Sequence, residues 1–248
     1  MNDTVSTEEK DIRGQVEREQ VTALWDWIWS LVKDSLEGAV LEAGCGRAVL
    51  AERIADQNHR YLGVDRSSKL IERSVDRFSD RPDISFRTLD ITTEAYKERL
   101  LEAKIDTVLT LNTMEHLKED ERFVQLTAEG LPRQGSFIIL TPAMPSLFGK
   151  TDRAAGHVRR YSPDMLRSLL EAAGFQVSSL CYMNMLGLVP LIWRNFVSRS
   201  EMGYFESQSA VSLAFHNRII PFLRTMEQYL PPPFGTSLLV KARRVSDP

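Results

Sequence analysis

Apolar positions along the first two thirds of the chain switch regularly between short continuous runs and helical spacing. Five short apolar runs predict buried strands, at 39–44, 60–65, 84–90, 105–112 and 135–142. The segments between them have apolar residues at helical spacing and predict helices, at 48–57, 67–78, 93–103 and 118–131. Because strands that alternate with helices of this length form βαβ units, we predict a parallel sheet.

Further elements flank this alternating region. Helical spacing over 21–32 predicts an amphipathic helix ahead of the first strand. After the fifth strand, Ser162 as N-cap and Pro163 in the first turn predict a helix over 162–175. Two more strand patterns follow, at 175–184 and 235–244. A late strand pair added to five βα units predicts an α/β fold, a Rossmann-like mixed seven-stranded sheet with helices on both faces.

We predict one core with two additions. The three parts are an N-terminal helical cap at 1–37, a Rossmann-like core at 38–184 and 235–245, and a helical insertion at 185–234. The apolar part of the insertion, 183–197, is interrupted by Pro190 and Arg194 and is too short to span a bilayer.

Composition narrows the classes of partner and location. A net charge of −3 and a pI near 5.9 give no electrostatic reason to expect nucleic acid. No apolar run reaches about 18 residues, so we expect no transmembrane segment. Residues 1–14 are polar and acidic, unlike a secretory signal. Two cysteines make no disulfide framework, which favours a cytoplasmic location.

The candidate chemistry lies where the predicted strands end. Gly44 and Gly46 form a tight turn that leads into a helix N-terminus, where a ligand can approach bare backbone. The carboxylate of Asp65 can accept both hydroxyls of a ribose, Asp90 can accept from an adenine amino group, and Glu42 can pair with an ammonium group. Open α/β sheets bind ligands at this edge. Together these residues predict a ligand with an amino-acid part, a ribose and a base.

Other ligands on the same fold stay open at this point. The dinucleotide fingerprint of an NAD-dependent oxidoreductase would need a glycine at position 49, where this chain has Val49. That difference disfavours the oxidoreductase but not the fold. A non-catalytic nucleotide-ligand-binding protein is the other alternative.

Several segments together resemble the class I S-adenosylmethionine-dependent methyltransferases, in the methyltransferase-domain group with a Glu-His pair after strand four. The segments that carry the resemblance are VLEAGCG (40–46), YLGVDRS (61–67), TLDI (88–91), IDTVLTLNTMEHL (105–117) and LPRQGSFIILTP (131–142). Their order and spacing agree with the family over about residues 38–180. One departure is Ala48, where the family usually has glycine.

The resemblance implies S-adenosylmethionine as the cofactor and methyl transfer as the reaction. In such proteins the glycine turn and the first carboxylate hold the methionine part, the second carboxylate holds the ribose, and the third holds the adenine with its apolar neighbour. The residues implied at the cofactor are Glu42, Gly44, Cys45, Gly46, Asp65, Arg66, Asp90, Ile91 and, beside the sulfonium, Asn112.

A second group of residues is predicted to meet the methyl acceptor. His116 follows strand four and is either a general base or a positioning residue. His157, Arg160 and Tyr161 form a polar cluster at the same sheet edge, which is either a binding site or a solvated loop. We expect transfer to an oxygen or nitrogen atom of a small molecule, such as a sugar, a lipid-linked compound or a secondary metabolite. No metal site is expected.

The insertion at 185–234 is predicted to act with the N-terminal helix as a lid over the acceptor pocket. A homodimer contact and an interfacial membrane contact are the alternatives for its apolar part.

Overall fold

Strands and helices alternate along the computed structural model, which describes residues 21–197 and 210–246. The helices are α1 Thr22–Val32, α2 Ala51–Ala55, α3 Ser68–Arg77, α4 Glu94–Ala103, α5 Asp120–Gly130, α6 Lys150–Ala154, α7 Pro163–Ala172, α8 Leu188–Ile192 and α9 Ala210–Tyr229. The strands are β1 Val40–Ala43, β2 Tyr61–Asp65, β3 Ile84–Thr88, β4 Thr107–Leu111, β5 Ser136–Pro142, β6 Phe175–Met183 and β7 Ser237–Arg244. Short 3-10 turns lie at Lys33–Ser35, Met114–His116 and Pro145–Leu147, and a π turn lies at Trp193–Val197.

The strands form one sheet in the order β3-β2-β1-β4-β5-β7-β6. The first five are parallel, and β7 runs antiparallel to both β5 and β6. This confirms the predicted mixed seven-stranded α/β fold. Because β1 lies between β2 and β4, the loops after these strands meet at one edge of the sheet.

Both faces of the sheet are covered, so every residue of the central strands β1, β4 and β5 is buried. Alternate residues of a strand point to opposite faces. Leu41 belongs to one buried layer with Phe123 and Phe137, and Val40 belongs to the other with Trp27. A charged side chain on β1 is therefore buried on whichever face it takes.

The added helices contact one another and the core. The Asn217 side-chain oxygen of α9 accepts a hydrogen bond from the Ala23 N–H of α1 at 3.1 Å, and Leu223 of α9 is buried with α1. Residues 1–20 of the predicted cap and 198–209 of the predicted insertion lie outside the described residues.

The start of one predicted helix differs from the structure, and the starts of two others agree. The helix predicted over 48–57 forms only at Ala51–Ala55, because Ala48 has a left-handed backbone with φ +52°. Helix α3 starts at Ser68, in agreement with the helix predicted over 67–78, and Ser67 is its N-cap residue, although its side chain does not supply a capping hydrogen bond. Ser162 caps α7 as predicted, since its hydroxyl accepts a hydrogen bond from the Met165 N–H at 3.2 Å.

Candidate functional site

The turn after β1 is built from left-handed backbone. Gly44 has φ +74° and Gly46 has φ +52°, conformations that favour glycine. A Cβ on Gly44 would lie 2.4 Å from side-chain atoms of Thr113, which follows β4. The turn is therefore pressed against the loop after β4, and a side chain at position 44 would force the two apart. Ala48 holds its left-handed conformation at a cost of about 1 kcal/mol.

Asp65 connects the glycine turn to the end of β2. One of its carboxylate oxygens accepts a hydrogen bond from the Gly46 N–H at 2.9 Å, and the other accepts from the Ser67 N–H at 2.9 Å. A carboxylate oxygen can accept more than one hydrogen bond, so both can also receive a ligand hydroxyl. The side chain is half-buried and held in place from two sides.

Glu42 lies in β1, directly before the turn, with only 3% of its surface exposed. The Tyr61 hydroxyl donates a hydrogen bond to Glu42 Oε2 at 2.5 Å. Burial raises the pKa of the Glu42 carboxyl to about 7; the charge of Asp65 adds to this increase and the Tyr61 hydrogen bond opposes it. The fold excludes water from this carboxylate, so a cation that reached it would take the place that water would otherwise occupy.

The remaining residues predicted at the cofactor occupy the same edge. Asp90 is exposed and accepts hydrogen bonds from the Thr92 N–H at 2.9 Å and the Thr92 hydroxyl at 2.7 Å, so it also shapes the turn after β3. Ile91 beside it is buried. Asn112 follows β4 with φ +52°, and its N–H donates to the Leu140 carbonyl at 2.8 Å. Cys45 is buried in the turn, and Arg66 is exposed after β2.

Glu115, His116 and His157 form a cluster of one carboxylate and two imidazoles. The 3-10 turn after β4 supplies the first two, and the loop between α6 and α7 supplies the third. The imidazole rings meet edge to face with centroids 4.8 Å apart. His157 Nε2 lies 3.9 Å from Glu115 Oε1.

The other two residues predicted to bind the acceptor are buried within the protein. The Arg160 side chain is 6% exposed and donates from Nε to Asp152 Oδ1 at 2.8 Å and from Nη1 to the Ala143 carbonyl at 3.0 Å. The Tyr161 hydroxyl donates to Asp120 Oδ2 at 2.7 Å. Their polar atoms form hydrogen bonds within the protein that hold the loop before α7 in place. In this structure the two side chains therefore support the loop and are not open to a ligand.

The sequence alone does not predict some residues of the site. Tyr61 was assigned only to a buried strand, and nothing in the sequence pairs its hydroxyl with Glu42. Asp152 was not singled out because its partners depend on how the loop folds. Glu115 belongs to the Glu-His pair that carries part of the family resemblance, and this pair is the sequence signal that points to it.

The predicted cofactor residues thus come from loops that converge at one edge of the sheet. A model of the family described as "Methyltransferase domain" matches residues 17–180. The chain belongs to this methyltransferase-domain family. The particular role of the Glu-His pair stays a prediction.

Relatives and solved structures agree with this family. The chain is 30% identical over 140 residues to a Mycolicibacterium smegmatis protein named "Probable S-adenosylmethionine-dependent methyltransferase", a match covering 56% of this chain and 52% of that protein. It therefore spans about half the length of the curated relatives it matches.

Two solved structures share the fold. A SAM-dependent methyltransferase from Archaeoglobus fulgidus has a TM-score of 0.58 at 17% identity, covering 88% of this chain and 93% of that chain. Geranyl diphosphate C-methyltransferase from Streptomyces coelicolor A3(2), solved with S-adenosyl-L-homocysteine, has a TM-score of 0.55 at 12% identity, covering 84% and 71%. At these identities the likeness concerns the fold alone. With the family match, this likeness confirms the predicted class I methyltransferase fold, and the names of the relatives agree with S-adenosylmethionine as the predicted cofactor.

None of the helices in the described ranges is long and apolar enough to cross a bilayer.

Proposed function

We propose that this methyltransferase-domain protein transfers a methyl group from S-adenosylmethionine to an oxygen or nitrogen atom of a small-molecule acceptor. The observation that carries the proposal is the hydrogen bond from the Gly46 N–H to Asp65, with buried Glu42 on the adjoining strand. In this arrangement Asp65 binds the ribose and Glu42 faces the ammonium group of the methionine part. Asp90 and Ile91, after the neighbouring strand β3, bind the adenine.

Methyl transfer from a sulfonium needs no covalent intermediate with the protein. The sulfonium is an activated methyl donor, and an acceptor lone pair displaces the sulfur in line, so alignment and the removal of water dominate. Asn112, which adjoins the glycine turn through Thr113, is proposed to line the sulfonium region.

His116 is the proposed general base or positioning residue for the acceptor. Its Nδ1 lies 3.2 Å from the Gly156 carbonyl, which can only accept a hydrogen bond, so the proton of the neutral ring sits on Nδ1. Nε2 then carries the lone pair that a base needs. His157 lies beside it, with its ring ordered by Asp152.

We further propose that the 185–234 insertion covers the acceptor pocket together with α1. Asn195 of the π turn accepts hydrogen bonds at Oδ1 from the Thr151 N–H and hydroxyl, at 2.9 and 2.7 Å. This places the start of the insertion against α6, which lies beside the loop that carries His157. A homodimer contact and an interfacial membrane contact remain alternatives, because Val189, Trp193 and Phe196 are exposed there.

We also propose that the protein is located in the cytoplasm. Cys45 and Cys181 are both free thiols, which suits the reducing cytoplasm.

Transfer of a labelled methyl group from S-adenosylmethionine into fractionated extract of the source cell, followed by mass spectrometry, tests the function. A labelled small molecule that depends on the protein and disappears with Asp65→Ala is the expected result. Cofactor binding without any labelled product in the extract would favour the non-catalytic alternative. The NAD-dependent alternative would gain if NAD bound at this edge in place of S-adenosylmethionine.

A further inference from the structure

We propose that Glu115, His116 and His157 form a binding site for a divalent transition-metal ion. One ligand atom from each residue lies within 4.8 Å of the other two. The site revises the sequence-based expectation that no metal is bound.

Both imidazoles turn the same nitrogen toward hydrogen-bond acceptors. His157 Nδ1 lies 3.0 Å from Asp152 Oδ1, and His116 Nδ1 lies 3.2 Å from the Gly156 carbonyl. A carboxylate and a carbonyl can only accept, so each neutral ring carries its proton on Nδ1. Nε2 is then the lone-pair nitrogen of each ring, which is the form in which imidazole binds a metal. If His116 ligates the ion, that lone pair is in use, so His116 positions the acceptor and does not act as its base.

The other ring nitrogen of His157, Nε2, is buried and has no hydrogen-bond partner among the described residues. The His157 side chain is 10% exposed, and its Nε2 points toward a fully buried carboxylate, Glu115. A buried lone-pair nitrogen that faces a carboxylate is unfavourable unless a cation or proton lies between them.

The distance between these two donors favours an ion over a shared proton. His157 Nε2 and Glu115 Oε1 are 3.9 Å apart, beyond the range of a hydrogen bond. An ion about 2.1 Å from each of two donors spans at most about 4.2 Å, so the donors, which lie within 4.8 Å of one another, would move slightly closer together on binding it.

The residues around the cluster have the arrangement that metal ligands need. A ligating histidine commonly donates its other N–H to a carboxylate, which fixes the ring. Asp152 fills that role, and it is itself held by Arg160 Nε at 2.8 Å and the Gly149 N–H at 2.9 Å. Glu115 Oε2 accepts a hydrogen bond from the Thr141 hydroxyl at 3.3 Å, which directs the other oxygen toward the imidazoles.

Two imidazoles and one carboxylate suit Zn²⁺, Co²⁺ or Ni²⁺ and leave a coordination position open. If the proposed methyl transfer holds, an acceptor hydroxyl is the ligand class for that position, because the cluster begins two residues after Thr113, which packs against the glycine turn of the proposed cofactor site. The bound hydroxyl would lose its proton to water more readily. Its oxygen then forms the bond to the methyl carbon while the carbon–sulfur bond breaks and its electron pair stays on sulfur.

Calorimetric titration of the full, untagged, chelator-treated chain with Zn²⁺ tests the site, and absorption spectra with Co²⁺ give a second readout. We expect one ion per chain and visible Co²⁺ bands from nitrogen ligation. Glu115→Gln and His157→Asn should each weaken Zn²⁺ binding at least tenfold and reduce those bands. His59→Asn is the matched control, because His59 Nδ1 also lies against a glycine carbonyl, that of Gly38 at 2.8 Å, but before β2.

Failure of the metal site and failure of the proposed function can be told apart. Binding of S-adenosylhomocysteine to the same variants reports on folding and on the cofactor site, and it should be unchanged. Absence of Zn²⁺ binding in the natural chain would overturn the proposal. Equal Zn²⁺ affinity in the natural chain and both variants, with cofactor binding intact, would overturn it as well.

Discussion

The carboxylate of Asp65 accepts a hydrogen bond from the Gly46 N–H at 2.9 Å, which joins the end of β2 to the turn after β1. The same side chain therefore shapes the turn and can accept a hydrogen bond from a ligand hydroxyl. The two tasks are compatible because a carboxylate offers about four lone-pair sites.

Asp65→Ala is expected to weaken S-adenosylmethionine binding at least tenfold, because hydrogen bonds to a charged group contribute about 1.5–3 kcal/mol each. Calorimetry measures the loss, and the exposed Asp80→Ala is the matched control. Unchanged affinity in Asp65→Ala would remove this residue from the ribose site.

Gly44→Ala should destabilise the fold and abolish cofactor binding, because it adds left-handed strain of about 1–2 kcal/mol to a clash with Thr113. Gly156→Ala separates the two effects. Gly156 has φ +76°, but the nearest atom to its added Cβ is 3.7 Å away, so only the strain applies. Urea unfolding and calorimetry compare the two variants. Equal losses of stability would show that contact with Thr113 is unimportant.

Glu42 should make stability depend on pH. Its pKa is about 7 in the folded chain and 4.5 ordinarily, so its favourable contribution is complete below pH 4.5 and is lost by about pH 7. Glu42→Gln lacks this loss. Its free energy of unfolding, relative to that of the natural chain, should therefore rise by about 3 kcal/mol when the pH is raised from 4.5 to 8. Urea unfolding at both pH values measures it. The exposed Glu72→Gln serves as control, and a gain independent of pH would contradict the assignment.

The same carboxyl should link cofactor binding to a proton. An ammonium group beside Glu42 favours its ionised form, so binding below pH 7 should release a proton. Calorimetry in buffers of different ionisation enthalpy detects the release. No release at pH 6, where Glu42 is mostly protonated without ligand, would place the ammonium group elsewhere.

Ser162→Ala should cost about 1 kcal/mol of stability, because the serine hydroxyl caps α7. Ser162→Asn keeps a capping oxygen and should cost little. Urea unfolding of both variants decides, and equal costs would show that the cap contributes nothing.

The sequence was most informative where local patterns determine structure. All seven strands were predicted because apolar runs, turn glycines and strand-end carboxylates recur with the spacing of βα units. Ala48 stands where the family usually has glycine, and its φ of +52° shows that the backbone keeps the glycine conformation even with a side chain. That outcome depends on neighbouring packing, which the sequence pattern does not express.

Contacts between distant segments were least accessible. The Tyr61 hydroxyl reaches Glu42, and Asn195 reaches Thr151, only because the fold brings separate elements together. A helical insertion at 185–234 was predicted, but α9, which packs on α1, was not delimited. Its interior Pro221 reads as a helix breaker, although helix continues through it.

Calorimetric titration of the natural chain with S-adenosylhomocysteine, and separately with NAD, is the most direct test that the 44–46 turn and its carboxylates bind one adenosine-plus-amino-acid ligand. We predict one S-adenosylhomocysteine per chain and no heat from NAD. NAD binding, or no binding of S-adenosylhomocysteine to the folded protein, would contradict that claim.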